Sequence, residues 1–464
     1  MKTSKHRLLL LVLSTLLLSS CAGNNNNESP TSEEVPSISQ ETTSEETVSP
    51  RFKADFAFSK FKDGGTEISE TIVDGLTHYT HTMTKENGNK VQVHSLEVDL
   101  SKVAIDAGTA KNASIKFNNT KNVPYQSALD MEEKTGKTVY ASLNADFFGS
   151  QVVNAFVKDG YVVKSSHNDN GNYDYTNSSS DVPASYPMLF GIKNGVAQVA
   201  PILSNDGKDP KEATNKKRYI QASLNYSIKL GSRSIETNNN IRLSSEAIRI
   251  AANDSYFDLD ISKGLNRASV TAAESVTAVT KLPAPATDHI YLIFGNQDSA
   301  GLSFAGKIGV GNTLSITVHS PDGIWDGAET ILGCRQEIIR DNEIVSTVSL
   351  ENTNGCQNVE VPRSAVGVRE DGTVVIYAVE SLYYGKKSTS EEDSHGVSLP
   401  ELAEYMSYNN ILNGANFDGG GSTQMVLKNA RNATPKVVVR SSDTGSSEPL
   451  NTRAVMNAIL VRSK

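Results

Sequence analysis

The chain has 464 residues, 44 Lys plus Arg against 53 Asp plus Glu for a formal charge of −9, 38% hydrophobic and 21% charged residues, and a mean hydropathy of −0.35. It is long enough to bury a large core, too polar for a multi-span membrane protein and too apolar for full disorder. Residues 1–23 carry +3 and residues 24–50 carry −6, leaving −6 for the rest; so mildly acidic a body disfavours nucleic-acid binding, which calls for a basic, phosphate-neutralising patch.

The basic start Met1 to Arg7 runs into an apolar stretch from Leu8 to Leu18, the length of a signal-peptide core and short for a membrane span. Leu18-Ser19-Ser20-Cys21 resembles the lipobox of bacterial lipoproteins, whose Cys thiol accepts a diacylglyceryl group. The expectation is a signal peptide over residues 1–20, lipidation at Cys21 and a place on the outer face of the cell membrane, or in the outer membrane of a Gram-negative cell. Asn24 to Pro50 is Asn-, Glu-, Ser-, Thr- and Pro-rich with almost no large apolar side chains. It cannot bury enough surface to offset its ordering entropy, so residues 21–50 are expected to be a flexible acidic tether.

From Arg51 the chain turns to short alternating or β-branched runs. Val91 to Val98, Thr138 to Ala141 and Thr373 to Val379 read as strands, and Asp159-Gly160, Asn194-Gly195 and Asp371-Gly372 as hairpin turns between strands. His78 and His81 would share a helical face, but the Thr and Tyr around them point to a strand, where a spacing of three splits them across faces and sets a metal pair aside. A short helix is predicted over Pro124 to Lys134, with Ser127, Ala128 and Met131 inward. A second follows Ser398, which caps it ahead of Pro400 and Glu401. Ser165 to Pro187 is dense in polar residues and reads as a flexible insert or a lid, in which Tyr173 and Tyr175 are either solvated or sugar-stacking. Beyond Cys21 only Cys334 and Cys356 remain, a pair expected to bridge in an oxidising compartment. The class is α+β, a β-rich mixed twisted sheet with a few helices in a single large domain.

The strongest chemical signal is Asn416-Phe417-Asp418-Gly419-Gly420-Gly421-Ser422-Thr423. Three glycines let backbone N–H groups approach an anion, and Ser422 and Thr423 add hydroxyls, as in a phosphate cradle; a Gly triplet also serves as a plain flexible turn. No Lys follows as a Walker loop requires. With Asn144-Ala145-Asp146-Phe147-Phe148 and Val361-Pro362-Arg363-Ser364-Ala365-Val366-Gly367-Val368, this segment resembles the phosphodiester glycosidase family, which includes N-acetylglucosamine-1-phosphodiester α-N-acetylglucosaminidase. Gly75 to Tyr79, Phe156 to Gly160, Gly333 to Asn342, Ser394 to Ala403 and Arg453 to Val461 extend the resemblance over about residues 70–463, most weakly between Ala200 and His289. It frames residues 91–464 as the catalytic domain, preceded by lead-in strands over 51–90. The chain departs from the family at Ala145-Asp146, where Gly-Gly is frequent, and at Glu380-Ser381-Leu382, where Asp-Gly-Arg is frequent.

The resemblance implies hydrolysis of a sugar 1-phosphodiester, releasing free sugar and leaving a phosphomonoester. Because the leaving group is already a stable anion, electrostatic support should outweigh acid catalysis. Arg363 is the expected phosphate fork, with Gly419, Gly420, Gly421, Ser422 and Thr423 completing the cradle. Asp418, the favoured essential carboxylate, or Asp146 would activate water or attack the anomeric carbon, and Asn144 would orient a hydroxyl or satisfy buried backbone. His395 and Glu380 are further substrate-binding candidates. No cofactor is certain; a divalent cation on Asp146 or Asp418 with phosphate is compatible with oxygen ligands. The expected partners are a sugar-phosphate-containing glycan or a small sugar phosphodiester, and the membrane through the lipid anchor. The rivals are a non-catalytic anionic-glycan-binding module and a metal phosphodiesterase.

Overall fold

A continuous apolar, β-branched run, the pattern of a strand buried on both faces, is strongest in Val374–Val379. In the computed structural model Val374, Ile376 and Ala378 enter one core and Val375, Tyr377 and Val379 another. The structure describes residues 51–53, 61–62, 64–109, 120–149, 151–165, 188–202, 223–345, 359–388, 390, 393–430 and 433–464. The signal-like segment, Cys21 and the tether, Tyr173, Tyr175 and Cys356 lie outside them. The α+β, β-rich class read from the sequence is the observed one: among the described residues there are three α-helices, and the strands divide among five sheets.

Val374–Val379 is central in an eight-stranded sheet ordered Thr66–Val73, Leu76–Thr84, Lys90–Val98, Val374–Val379, Arg363–Val368, Asn413–Asn416, Glu337–Arg340, Glu343–Ile344. Neighbours pair antiparallel throughout. The lead-in strands therefore form the edge of the same sheet. Helix Leu399–Tyr408 covers one face, burying Leu399, Leu402, Ala403, Tyr405 and Met406 against Val91, Val93, Ala365 and Tyr377. Its start is the predicted capping box: Ser398 accepts from Glu401 N, and Ser398 N donates to Glu401 Oε2 at 2.7 Å.

The other face meets two five-stranded sheets. One runs Pro435–Val439, Met425–Lys428, Val139–Asn144, Asn457–Ser463, Val103–Thr109, and the other Tyr161–Lys164, Phe156–Lys158, Thr330–Gly333, Met188–Lys193, Val196–Pro201. Leu96, Val366 and Ile376 share their core with Leu143, Ile459 and Met425 of the first and Phe190 and Leu332 of the second. Helix Pro124–Thr135 closes the far side, packing Ala128 and Met131 on Val139, Ala458 and Leu460; Gly136 ends it in the left-handed conformation at φ 67°.

Between Pro201 and Thr330 the chain builds a separate seven-stranded sheet from strands between Asn225 and His319. It has its own core around Phe257, Leu292, Phe294 and Ile316. Helix Ser299–Ala305, not predicted, packs there under an Asp298 cap that accepts from Gly301 N at 2.8 Å. Asp159-Gly160 and Asn194-Gly195 make their two-residue hairpins with positive φ at both positions, the geometry that suits strand twist. His78 and His81 face opposite sides of their strand: His78 Nε2 lies 3.1 Å from His94 Nδ1, and His81 Nδ1 lies 3.2 Å from Tyr405 Oη.

Candidate active site

Three sheets end at one place. Val139–Asn144 runs out into Asp146, Asn413–Asn416 into Asp418, and Thr330–Gly333 into Arg335. Backbone bonds tie the ends: Asp418 N donates to Ala145 O at 2.9 Å and Arg335 N to Asn416 O at 3.0 Å. Asn144 locks the junction. Its amide donates to Asp418 O at 2.6 Å, and its Oδ1 accepts from Ser364 Oγ at 3.0 Å and Gln424 N at 3.2 Å. The chain's Asn144 thus satisfies buried backbone beside the site, one of the two roles open to it from sequence.

Asp146 is 1% exposed. Both its oxygens accept from Asn154, Oδ2 from the backbone N at 3.0 Å and Oδ1 from Nδ2 at 2.6 Å, and Gly333 leaves the space it occupies, since a Cβ there would stand 2.6 Å from Asp146 Cγ. Burial drives the carboxyl up to about 7, against the two Asn154 donors and Lys164, with the charge of Asp418 adding to the rise. Asp418 is half-buried. Burial lifts it to about 6, while the Ser422 hydroxyl and the cations Arg453 and Arg335 pull it down.

The Gly triplet is a packing hub more than an open cradle. Gly420–Ser422 forms a 3-10 turn in which Gly420 N donates to Pro362 O at 2.8 Å, Ser422 N to Gly419 O and Thr423 N to Gly420 O, both at 3.2 Å. Each glycine admits a different neighbour. A Cβ on Gly419 would stand 2.8 Å from Pro362 O, one on Gly420 would stand 3.4 Å from Tyr384 Cε1, and one on Gly421 would run into the Asp443 carboxylate. Asp443 in turn holds Arg453, Oδ2 to Nη1 at 2.7 Å. Thr423 is buried, its hydroxyl 3.2 Å from the donor Ser364 Oγ; Ser422 Oγ is buried beside Asp418.

Arg363 is 8% exposed and turned to backbone: Nε donates to Val397 O at 3.2 Å and Nη2 to Val359 O at 3.1 Å. Glu380 is buried and gripped by Arg440, Nε to Oε1 at 2.8 Å and Nη2 to Oε2 at 2.7 Å. That Arg also reaches Asp393 at 3.0 Å. His395 stacks on Tyr383 with ring centroids 3.8 Å apart. Asp146, Asp418, Asn144 and the glycines therefore come together, with Arg363 Cδ 3.9 Å from where a Cβ of Gly419 would stand, whereas Glu380 and His395 each engage a neighbouring segment.

Sequence reasoning passed over Arg335 and Arg453, the cations that act on Asp418, although both lie in quoted segments, Gly333 to Asn342 and Arg453 to Val461. Each borders an aromatic, Arg335 over Phe147 at 5.4 Å and Arg453 over Phe148 at 5.5 Å. Cys334 is a free, buried thiol, and burial, helped by the charge of Asp146, pushes its pKa well up. Asp146 spends both oxygens on Asn154, and among the described residues no group of three or more His, Cys, Asp or Glu could hold a metal ion.

No curated protein matches the chain. Among solved structures, a hypothetical protein from Synechocystis is 16% identical with a TM-score of 0.46, covering 87% of this chain; the chain spans 64% of that protein's length. A protein from Burkholderia pseudomallei K96243 is 12% identical with a TM-score of 0.46, covering 88% of this chain and 98% of its own. The zebrafish N-acetylglucosamine-1-phosphodiester α-N-acetylglucosaminidase catalytic domain, auto-inhibited by its pro-peptide, is 14% identical with a TM-score of 0.40, covering 88% of this chain and 87% of its own. Residues 274–462, which hold Arg335, Asp418, the Gly triplet and Arg453 but neither Asn144 nor Asp146, match the phosphodiester glycosidase family.

Proposed function

We propose that the chain is a hydrolase of sugar 1-phosphodiesters, held by a lipid on Cys21 at the extracytoplasmic face of a bacterial membrane and acting on cell-surface or extracellular glycan. The observation that carries the reaction is the paired acids: half-buried Asp418, raised to about 6, in front of buried Asp146, raised to about 7. At neutral pH Asp418 is largely ionised. It either attacks the anomeric carbon, forming a C1–Oδ ester that water then hydrolyses to free the carboxylate, or takes a proton from the water that attacks directly. The C1–O bond breaks with its electron pair going to the phosphate oxygen, and a phosphomonoester leaves while C1 gains the water oxygen. The leaving anion needs positive charge more than a proton. Arg335 and Arg453, whose charges already act on Asp418, are candidates to supply it, beside Arg363, which also bonds the backbone of Val397 and Val359. Asp146 is a positioning residue, spent on Asn154, and its carboxyl feels the charge of Asp418.

The test is product analysis on residues 49–464, which form one compact unit, with an N-acetylglucosamine 1-phosphodiester and a panel of other sugar 1-phosphodiesters. Wild type should release free sugar plus phosphomonoester, and Asp418→Asn should lower kcat by at least about 10³-fold, the scale of losing an essential catalytic group. Sugar phosphate as product would favour phosphorus–oxygen cleavage instead. Binding to anionic glycans without turnover would favour a non-catalytic module.

A further inference from the structure

The loop after Val379 presents an aromatic ring beside the Asp418 turn. Tyr384 is 52% exposed, and its Cε1 stands 3.4 Å from where a Cβ of Gly420 would be, two residues beyond Asp418. Exposure alone says little, since single surface aromatics are ordinary. This one is held. Glu380 is clamped by Arg440 at the loop's base, Ser381 Oγ donates to His395 O at 2.9 Å, and Lys387 N donates to Leu382 O at 2.9 Å. Gly385 is pressed so closely on the Ser442 carbonyl that no side chain fits. Nearby rings are engaged: Tyr383 stacks on His395, and Phe148 faces Lys121 Nζ at 4.6 Å as well as Arg453. Among the described residues neither a cation nor another ring covers Tyr384.

We propose that Tyr384 is the platform on which the apolar face of the substrate's sugar ring stacks, making it a specificity-determining residue for the pyranose side of the cleaved bond. A rigid aromatic offers a large amphipathic contact at little entropy cost. The absence of a side chain on Gly420 lets the ring lie against the turn that carries Asp418, so a sugar seated on Tyr384 would be next to that turn. The inference rests on the sugar-phosphodiester reading.

The full chain is assayed with an N-acetylglucosamine 1-phosphodiester as wild type, Tyr384→Ala and Tyr384→Phe. Tyr384→Ala should raise KM about three- to tenfold, the worth of one aromatic contact, with the loss falling on KM rather than kcat, and Tyr384→Phe, which keeps the ring, should restore it. An unchanged KM in Tyr384→Ala, or a Phe variant as impaired as Ala, overturns the platform while leaving the hydrolase standing. Saturation-transfer NMR with N-acetylglucosamine 1-phosphate separates the two ideas if wild type does not turn over. A sugar signal in wild type and the Phe variant but not in Ala upholds the platform without the hydrolase, and no sugar signal in wild type overturns it.

Discussion

At Asp146 the sign of a pKa shift becomes a statement about pH and stability. An acid whose folded value is raised binds its proton more tightly folded than unfolded, so stability declines as pH climbs from the ordinary carboxyl value of 3.8 to about 7 and levels off above. Asp418 contributes the same way over the narrower window up to about 6. Asp146→Asn should therefore flatten the fall in melting temperature between about pH 4 and 7, and that slope is the readout, because the amide also costs an acceptor for Asn154. A variant that keeps the wild-type slope would mean that Asp146 is not the titrating group. Activity runs the other way. With Asp418 needed ionised, kcat/KM should fall as pH is lowered through about 6, and a profile flat from pH 5 to 8 would remove Asp418 from that role.

The Gly419–Gly421 turn makes a prediction that a flexible linker would not. Gly421→Ala must displace Asp443, and with it Arg453, whereas Gly420→Ala meets Tyr384 at ordinary contact distance and costs chiefly the left-handed backbone at φ 59°. Overpacking of this kind costs about 1–3 kcal/mol and left-handed backbone about 1–2 kcal/mol. Both variants should melt lower, but only Gly421→Ala should also lose most of its kcat; equal activity in the two would refute the hub. What was legible in sequence follows the range of the interactions. The Ser398 capping box and the β-branched run of Val374–Val379 are local and were read correctly, whereas the packing contacts that fill the space around the Gly triplet were not visible in sequence. The hydrogen bonds of Arg363 and Glu380 were not legible, because Val397 and Arg440, which engage them, come from segments 34 and 60 residues away. The seven-stranded sheet escaped notice since strands such as Arg233–Glu236 and Ser255–Asp260 are short and largely polar on one face.

At the scale of the whole molecule, the site exists because three sheets share one core and their strand ends converge. Anything that loosens the edge of the eight-stranded sheet should therefore reach it only through global stability. Arg51 tests where that sheet begins to depend on the chain. Arg51 is buried, paired with Glu67 and, at 2.7 Å, with Glu97; it bonds Ser95 Oγ and lies 3.8 Å over the Tyr79 ring. Asn409 Nδ2 donates to its carbonyl at 3.2 Å, and Lys53 N donates to Tyr408 O at 2.9 Å, joining this segment to the end of helix Leu399–Tyr408. Breaking a buried ion pair costs about 3–5 kcal/mol, and the low end applies because Arg369 still holds Glu97 at 2.6 Å. Removing residues 1–48 should leave the urea midpoint unchanged. Arg51→Ala, or removal of residues 1–53, should lower unfolding free energy by about 3 kcal/mol. If both truncations behave alike, the Arg51 pairs add nothing net and the sheet edge is held by strand pairing alone.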